Sequence, residues 1–184
     1  LGFAGAEGNG GWRLFAPGWA PLLATLAVAS LLLGNLAAIV QSGLKRLLAY
    51  SAVAHAGYLL LGVLALVEPA QRTTAFASVL YYLFTYGLTT IGAFGVVAIV
   101  ERQTGGDRLD AFAGLGQSSP GLALCLLIFL LSLAGIPPLA GFFGKFYLFL
   151  AAARVGAGQF HLLWLVILAV AMSTVSLYYY LLVL

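Results

Sequence analysis

Five apolar stretches, each about as long as a bilayer core is thick, constrain this chain more than anything else in it. Ala20 to Val40 contains no charged residue, and at 1.5 Å per residue about 20 residues cross a hydrocarbon core of about 30 Å. Four further stretches follow, at about 47–67, 75–100, 121–153 and 162–184. The charges gather in the joints between them: Lys45 and Arg46, then Glu68 and Arg72, then the longest polar segment, Glu101 to Pro120, and last Arg154 to His161. Joints as short as the first two imply antiparallel neighbours. Only 7% of the residues are charged, against about 25% in a soluble domain, so the apolar side chains must face lipid or one another. The pattern predicts an all-α integral membrane protein with five transmembrane helices.

Several function classes drop out at once. The eight Lys and Arg are scattered, with no basic run interleaved with aromatics, so nucleic-acid binding has no support. Cys125 is the only cysteine, which excludes an internal disulfide, a CxxC pair or an iron–sulfur cluster within this chain, and reads as a small apolar core residue. No metal site is expected. The opening, Gly2 to Gly11, reads as a flexible loop within an extracytoplasmic segment 1–19; its Gly8-Asn9-Gly10 lacks the third glycine and the preceding strand of a dinucleotide site. The first residue is Leu1 and the last, Leu184, falls inside an apolar run, which reads as a piece of a longer protein. With five spans the ends lie on opposite sides. Lys45, Arg46, Arg102 and Arg108 share one side and Arg13, Arg72 and Arg154 the other, and this small excess places the first set in the cytoplasm.

The fourth stretch is about half again as long as a span requires, and its middle reads Ala134-Gly135-Ile136-Pro137-Pro138. Each proline removes a backbone donor and clashes with the preceding turn, and Gly135, Gly141 and Gly144 ease further unwinding. A break between about 135 and 141 is therefore expected, giving one discontinuous helix; a simple proline kink is the alternative. Freed backbone groups need partners where there is no water, so broken membrane helices line cavities or ion sites. Lys145 follows the break and is the only charge placed well inside a predicted span. Insertion of such a lysine costs about 2.5–3.5 kcal/mol, and the usual occupants of such positions are ion and proton pathways. Burial and the positive end of the second half-helix both make the ammonium costly, so a lysine here can give up its proton. Alternatively it snorkels to the interface, because straight-helix counting puts it roughly 12 Å from the break.

On the third stretch Ser78, Tyr82, Thr85, Tyr86 and Thr89 share one face, and on the second Ser51, His55 and Tyr58 do the same. Such stripes can hold hydrogen-bonded water or simply bind helices together. His55 adds a ring that can be neutral or charged near neutral pH. The run Tyr178 to Tyr180 reads as an interfacial aromatic belt.

Leu44-Lys45-Arg46-Leu47-Leu48-Ala49-Tyr50-Ser51, continuing through His55 to Gly57-Tyr58, resembles the antiporter-like subunits of respiratory complex I, the proton-pumping NADH:quinone oxidoreductase. Leu131 to Pro138, then Gly141-Phe142-Phe143-Gly144-Lys145-Phe146-Tyr147, and Ser176 to Leu181 resemble the N-type subunit among them. The resemblance implies a fold of inverted five-helix repeats, each with one broken helix, of which this chain supplies the second. It implies that Lys145 is the proton-carrying lysine of that broken helix and that Lys45, by composition only a cytoplasmic loop charge, belongs to the conducting region; from the polar faces themselves, His55, Tyr82, Tyr86 and Thr89 are the candidates for the rest of the pathway. Where larger relatives carry His, His and Lys on the helix matching the third stretch, this chain has Tyr82, Tyr86 and Thr90. NADH, FMN, iron–sulfur clusters and quinone are implied for other subunits of such a complex, and no cofactor for this chain. The partners implied are other membrane subunits and the lipid of an energy-transducing membrane, the bacterial cytoplasmic membrane. A subunit of a multi-subunit cation/proton antiporter or membrane-bound hydrogenase, and a structural spacer of the membrane arm, are the rival readings.

Overall fold

The computed structural model describes residues 19–155 and 162–184. The Gly-rich opening, Arg13 and most of the joint ending at His161 lie outside these residues. The described chain is helical: α1 (Trp19–Ile39), α2 (Leu44–Leu64), α3 (Arg72–Thr104), a single turn α4 (Leu115–Ser118), α5 (Pro120–Ala134), α6 (Ala140–Ala153) and α7 (Leu163–Val183). Four runs, Trp19–Ile39, Leu44–Val67, Pro69–Thr104 and Leu163–Val183, are long and apolar enough to cross a membrane. The fifth crossing is made by two pieces. α5 has 15 residues and α6 has 14, about 22 Å each, so neither spans about 30 Å of hydrocarbon alone.

The helices present two kinds of face. On α1 the buried positions are Ala24, Ala27, Leu31, Gly34, Asn35 and Ala38, a stripe at three- and four-residue spacing whose small side chains let α1 pack closely on α2. Its opposite face exposes Leu22, Leu26, Leu33 and Leu36, which suits contact with lipid. α3 extends past the expected stop near Val100 to Thr104, where Gly105, at φ 78°, ends it. Its 33 residues make a rod of about 50 Å, so Glu101 and Arg102 stand beyond a core of about 30 Å. At that end the two joints meet. Gly43 and Arg108 form an antiparallel bridge, with Leu44 N–H donating to Asp107 O at 2.8 Å and Leu109 N–H to Ser42 O at 3.0 Å.

Two apolar layers fill the bundle. One, at the end where α2 stops, gathers Ala24, Leu61, Ala75, Leu148 and Leu165. The other, at the end of the meeting joints, gathers Leu44, Leu48, Val97, Val100 and Leu126. Apart from Ser78, which lies within the first layer, the buried polar side chains Asn35, Ser51, His55, Thr85, Thr89, Ser132, Lys145 and Ser176 come from the helix segments between these layers. Cys125, expected in the core, is exposed. Leu126, Leu130 and Leu133 take the buried face of α5, which turns position 125 outward.

Candidate functional site

The break is built by the C-terminus of α5. Gly135 takes φ 87°, a left-handed conformation that costs an L side chain energy and glycine none. Its N–H bonds Ser132 O at 3.0 Å while Ile136 N–H bonds Leu131 O at 3.1 Å, the paired bonds of a Schellman ending. Pro137 and Pro138 then carry the chain across, with a cis bond between them, and α6 begins at Ala140. Gly141 N–H donates to Ser132 Oγ at 3.2 Å, so one half-helix holds the start of the other.

That ending satisfies Leu131 and Ser132 but leaves the carbonyl of Ala134 free, and Lys145 takes it. Nζ donates to Ala134 O at 3.1 Å and to Ser173 Oγ on α7 at 3.1 Å, and lies 5.2 Å from the centre of the Tyr58 ring. The residue is 5% exposed. Helical side chains lean toward the N-terminus, so the lysine stem runs back over Gly135 instead of out to the interface. The amine therefore meets the carbonyl end of α5, neither the amide end of α6 nor the interface about 12 Å from the break that straight-helix counting allowed. No carboxylate among the described residues pairs with it; the ion pairs there are Lys45–Glu101 and Arg108–Asp110.

Lys145 lines a cavity shared with His55, Tyr82, Thr85, Tyr86, Thr89, Ser132 and Gly141. The cavity has room for about one water molecule. His55 Nδ1 meets Tyr82 Oη at 2.6 Å, its Nε2 lies 3.5 Å from Tyr180 Oη, and Tyr180 Oη is bonded to Ser51 Oγ. Tyr86 stacks on the imidazole at 4.5 Å between centroids. An imidazole with both nitrogens engaged can accept a proton at one and release it at the other. Tyr82, His55, Tyr180 and Ser51 thus form a hydrogen-bonded run from the cavity toward the end where the joints meet.

The five-hydroxyl stripe of α3 is less uniform than its spacing suggests. Ser78, Thr85 and Thr89 donate to carbonyls of their own helix, at 2.8, 3.0 and 2.6 Å, so they offer a cavity water only their lone pairs. Tyr82 alone of the five bonds another helix. Lys45 is not in the cavity: it stands in the first turn of α2, about 40% exposed and paired with Glu101. The tyrosine run is not a belt either. Tyr178 faces outward, but Tyr179 and Tyr180 are fully buried, because their hydroxyls have polar partners inside, Asn35 for Tyr179 at 3.2 Å and Ser51 for Tyr180. Asn35, Ser132, Ser173 and Tyr180 escaped the sequence reading. The signals were there: Asn35 is the only amide in the first stretch, and Ser173, Ser176 and Tyr180 follow at helical spacing.

A family with this architecture matches residues 12–174, the transmembrane region of NADH:quinone oxidoreductases and Mrp antiporters. The chain belongs to that family. Among its relatives, NADH-quinone oxidoreductase subunit N 2 of Acidobacterium capsulatum is 60% identical across all of this chain, which covers 36% of it. Subunit N 1 of Roseiflexus castenholzii is 49% identical over 89% of the chain, covering 30% of the relative. Two solved structures of respiratory complex I from Thermus thermophilus contain similar chains. The one with bound aureothin is 44% identical with a TM-score of 0.67 over 88% of this chain and 34% of the other. The one with bound NADH is 33% identical with a TM-score of 0.75 over 89% and 32%. This member of the family thus spans about a third of the length of these relatives, and it is an integral membrane protein with an N-type sequence.

Proposed function

We propose that this chain translocates protons across the bacterial cytoplasmic membrane as a membrane-arm subunit of an NADH:quinone oxidoreductase, driven by quinone reduction in other subunits. It acts as a translocase element without redox chemistry of its own, with further membrane subunits and lipid as its surroundings. One observation carries the reading: an amine buried between two apolar layers, held only by a carbonyl and a hydroxyl, at a break that opens onto a cavity shared with a histidine. A structural lysine at such depth would be expected to have a carboxylate. Neutral acceptors serve the ammonium without binding it as an ion pair would, which leaves the proton free to move. The names of the relatives, all N-type subunits, favour the oxidoreductase over an antiporter assembly.

In this reading Lys145 takes a proton from the cavity on one side and releases it toward the opposite side of the membrane. Ser51, Tyr180 and His55 deliver it to the cavity from the end where Gly43 meets Arg108, which the basic bias places in the cytoplasm. The test is substitution in the assembled complex. Lys145→Ala removes the carrier and should abolish proton uptake into vesicles. Lys145→Arg keeps the charge but does not deprotonate, so it too should fail while the complex still assembles. A wild-type ratio of protons to electrons in an assembled Lys145→Arg complex would overturn the proposal in favour of a spacer.

A further inference from the structure

A lysine ammonium has three hydrogens to give and no lone pair, whereas the neutral amine has two hydrogens and a lone pair that needs a donor. A buried site that serves both must hold a group able to accept in one state and donate in the other, because an unmatched polar atom at such depth is costly. Lys145, 5% exposed, has two bonded partners among the described residues, Ala134 O and Ser173 Oγ, each at 3.1 Å. The carbonyl has no hydrogen and can only accept. The serine has one. Other hydroxyls nearby have committed theirs: on α7 Thr174 donates to Val170 O at 3.2 Å and Ser176 to Ser173 O at 2.7 Å, and the cavity threonines Thr85 and Thr89 donate to carbonyls of α3. Ser173 Oγ donates to no carbonyl among the described residues, so its hydrogen stays available while a lone pair receives Nζ.

We propose that Ser173 is the positioning residue that keeps Lys145 satisfied in both of its protonation states: its hydroxyl accepts from the ammonium and, turned about the Cβ–Oγ bond, donates to the neutral amine. The inference rests on the reading that Lys145 carries protons. A proton arriving from the cavity that Lys145 lines converts the lone pair of Nζ into an N–H, and the ammonium then gives one hydrogen to Ala134 O and one to Ser173 Oγ. When a proton departs, Nζ keeps the electron pair. The serine O–H turns to meet that pair, while Ala134 O retains one of the two remaining hydrogens. One N–H bond forms on arrival and one breaks on departure, and the serine keeps its own hydrogen throughout. An ionised carboxylate in place of the hydroxyl would accept in both states and so favour the ammonium alone.

The test is made in the assembled complex, reading proton uptake into vesicles per electron. Ser173→Ala removes the donor and should lower uptake about tenfold, the weight of one buried hydrogen bond. Ser173→Cys keeps the size but offers only a weak S–H donor and should be nearly as poor, whereas Ser173→Thr keeps the hydroxyl and should stay within about twofold of the wild type. A serine needed only for packing would follow size and rank Ser173→Cys above Ser173→Thr. That ranking overturns the proposal, as does wild-type uptake in Ser173→Ala or an equal loss in Ser173→Ala and Ser173→Thr. Lys145→Ala separates the two claims: normal pumping there means that the proton-carrier reading has failed, whereas loss there with unchanged uptake in Ser173→Ala removes the role of Ser173 alone. Should the variants not assemble, density of the wild-type complex at acid and at alkaline pH decides. Nζ should stay within hydrogen-bonding distance of Ser173 Oγ in both, and a lysine that parts from the serine at alkaline pH overturns the proposal.

Discussion

A methyl group added at Gly141 tests the geometry of the break without touching any polar side chain. A Cβ there would fall on the carbonyl oxygen of Ser132, with Ser132 Oγ 3.0 Å away. The obstacle is backbone of the opposing half-helix, which cannot rotate aside, so α6 must move off α5. Overpacking costs about 1–3 kcal/mol, and a backbone obstacle puts Gly141→Ala at the upper end. Helix propensity returns about 0.5–1 kcal/mol, for a net loss of about 2 kcal/mol. Gly95, on α3, has nothing within 4 Å of the same added atom, so Gly95→Ala keeps the propensity gain and pays no steric cost. The propensity gain cancels between them, so two identical chemical changes should differ by the steric cost alone, about 3 kcal/mol. The assay is the thermal inactivation midpoint of the membrane complex carrying each variant. Lys145 lies about one turn beyond Gly141, so displacement of α6 also lifts Nζ from Ala134 O, and proton uptake should fall with the midpoint. Equal midpoints for the two variants would mean that the half-helices do not touch at Gly141, and the site built on that contact would be wrong.

Two further outcomes follow from the surface of the bundle. Glu101→Gln removes the partner of Lys45, but both side chains are more than a third exposed, and an exposed pair contributes about 0–1 kcal/mol; a shift in the complex's unfolding free energy above about 2 kcal/mol would show that the pair is shielded. A cysteine introduced at Gly106, in a Cys125→Ser background, should react with a membrane-impermeant maleimide only from the cytoplasmic face, and labelling only from outside would invert the topology.

The spans, the break and the buried lysine were legible because each is a local property of sequence. Apolar length sets a crossing, a Gly-Ile-Pro-Pro run sets an interruption, and a lone charge in an apolar stretch stands out. What escaped were properties of contact between helices. Tyr179 and Tyr180 read as a belt because tyrosines near a helix end suit an interface; they are buried because Asn35 and Ser51, more than a hundred residues away in sequence, offer partners. The threonines of α3 read as a water-holding stripe, and only the bonding pattern shows that they spend their hydrogens on their own helix. The direction of the Lys145 amine turned on a single free carbonyl, that of Ala134, which only the ending of α5 defines.

The two apolar layers bear on why the proposed proton carrier would need a complex around it. Ser51, where the hydrogen-bonded run reaches furthest toward the end of the meeting joints, lies one turn inside Leu47 and Leu48 and two inside Leu44, all buried. On the other side of Lys145 the layer of Leu61, Leu148 and Leu165 is as closed. The amine is thus occluded from both ends, held midway by Ala134 and Ser173. A carrier in that position does no transport while both layers stay shut, and it leaks if both open together. Net movement requires that one layer part at a time, in step with a change in what the amine binds. Its two acceptors belong to different elements: the carbonyl end of a half-helix joined to the next by a short non-helical link, and a single serine of α7. Moving α5 relative to α7 by about 1 Å would break one of the two hydrogen bonds, since such bonds weaken steeply beyond their usual length. In the proposed assembly a small displacement delivered by neighbouring subunits is therefore enough to change the lysine's hold on its proton.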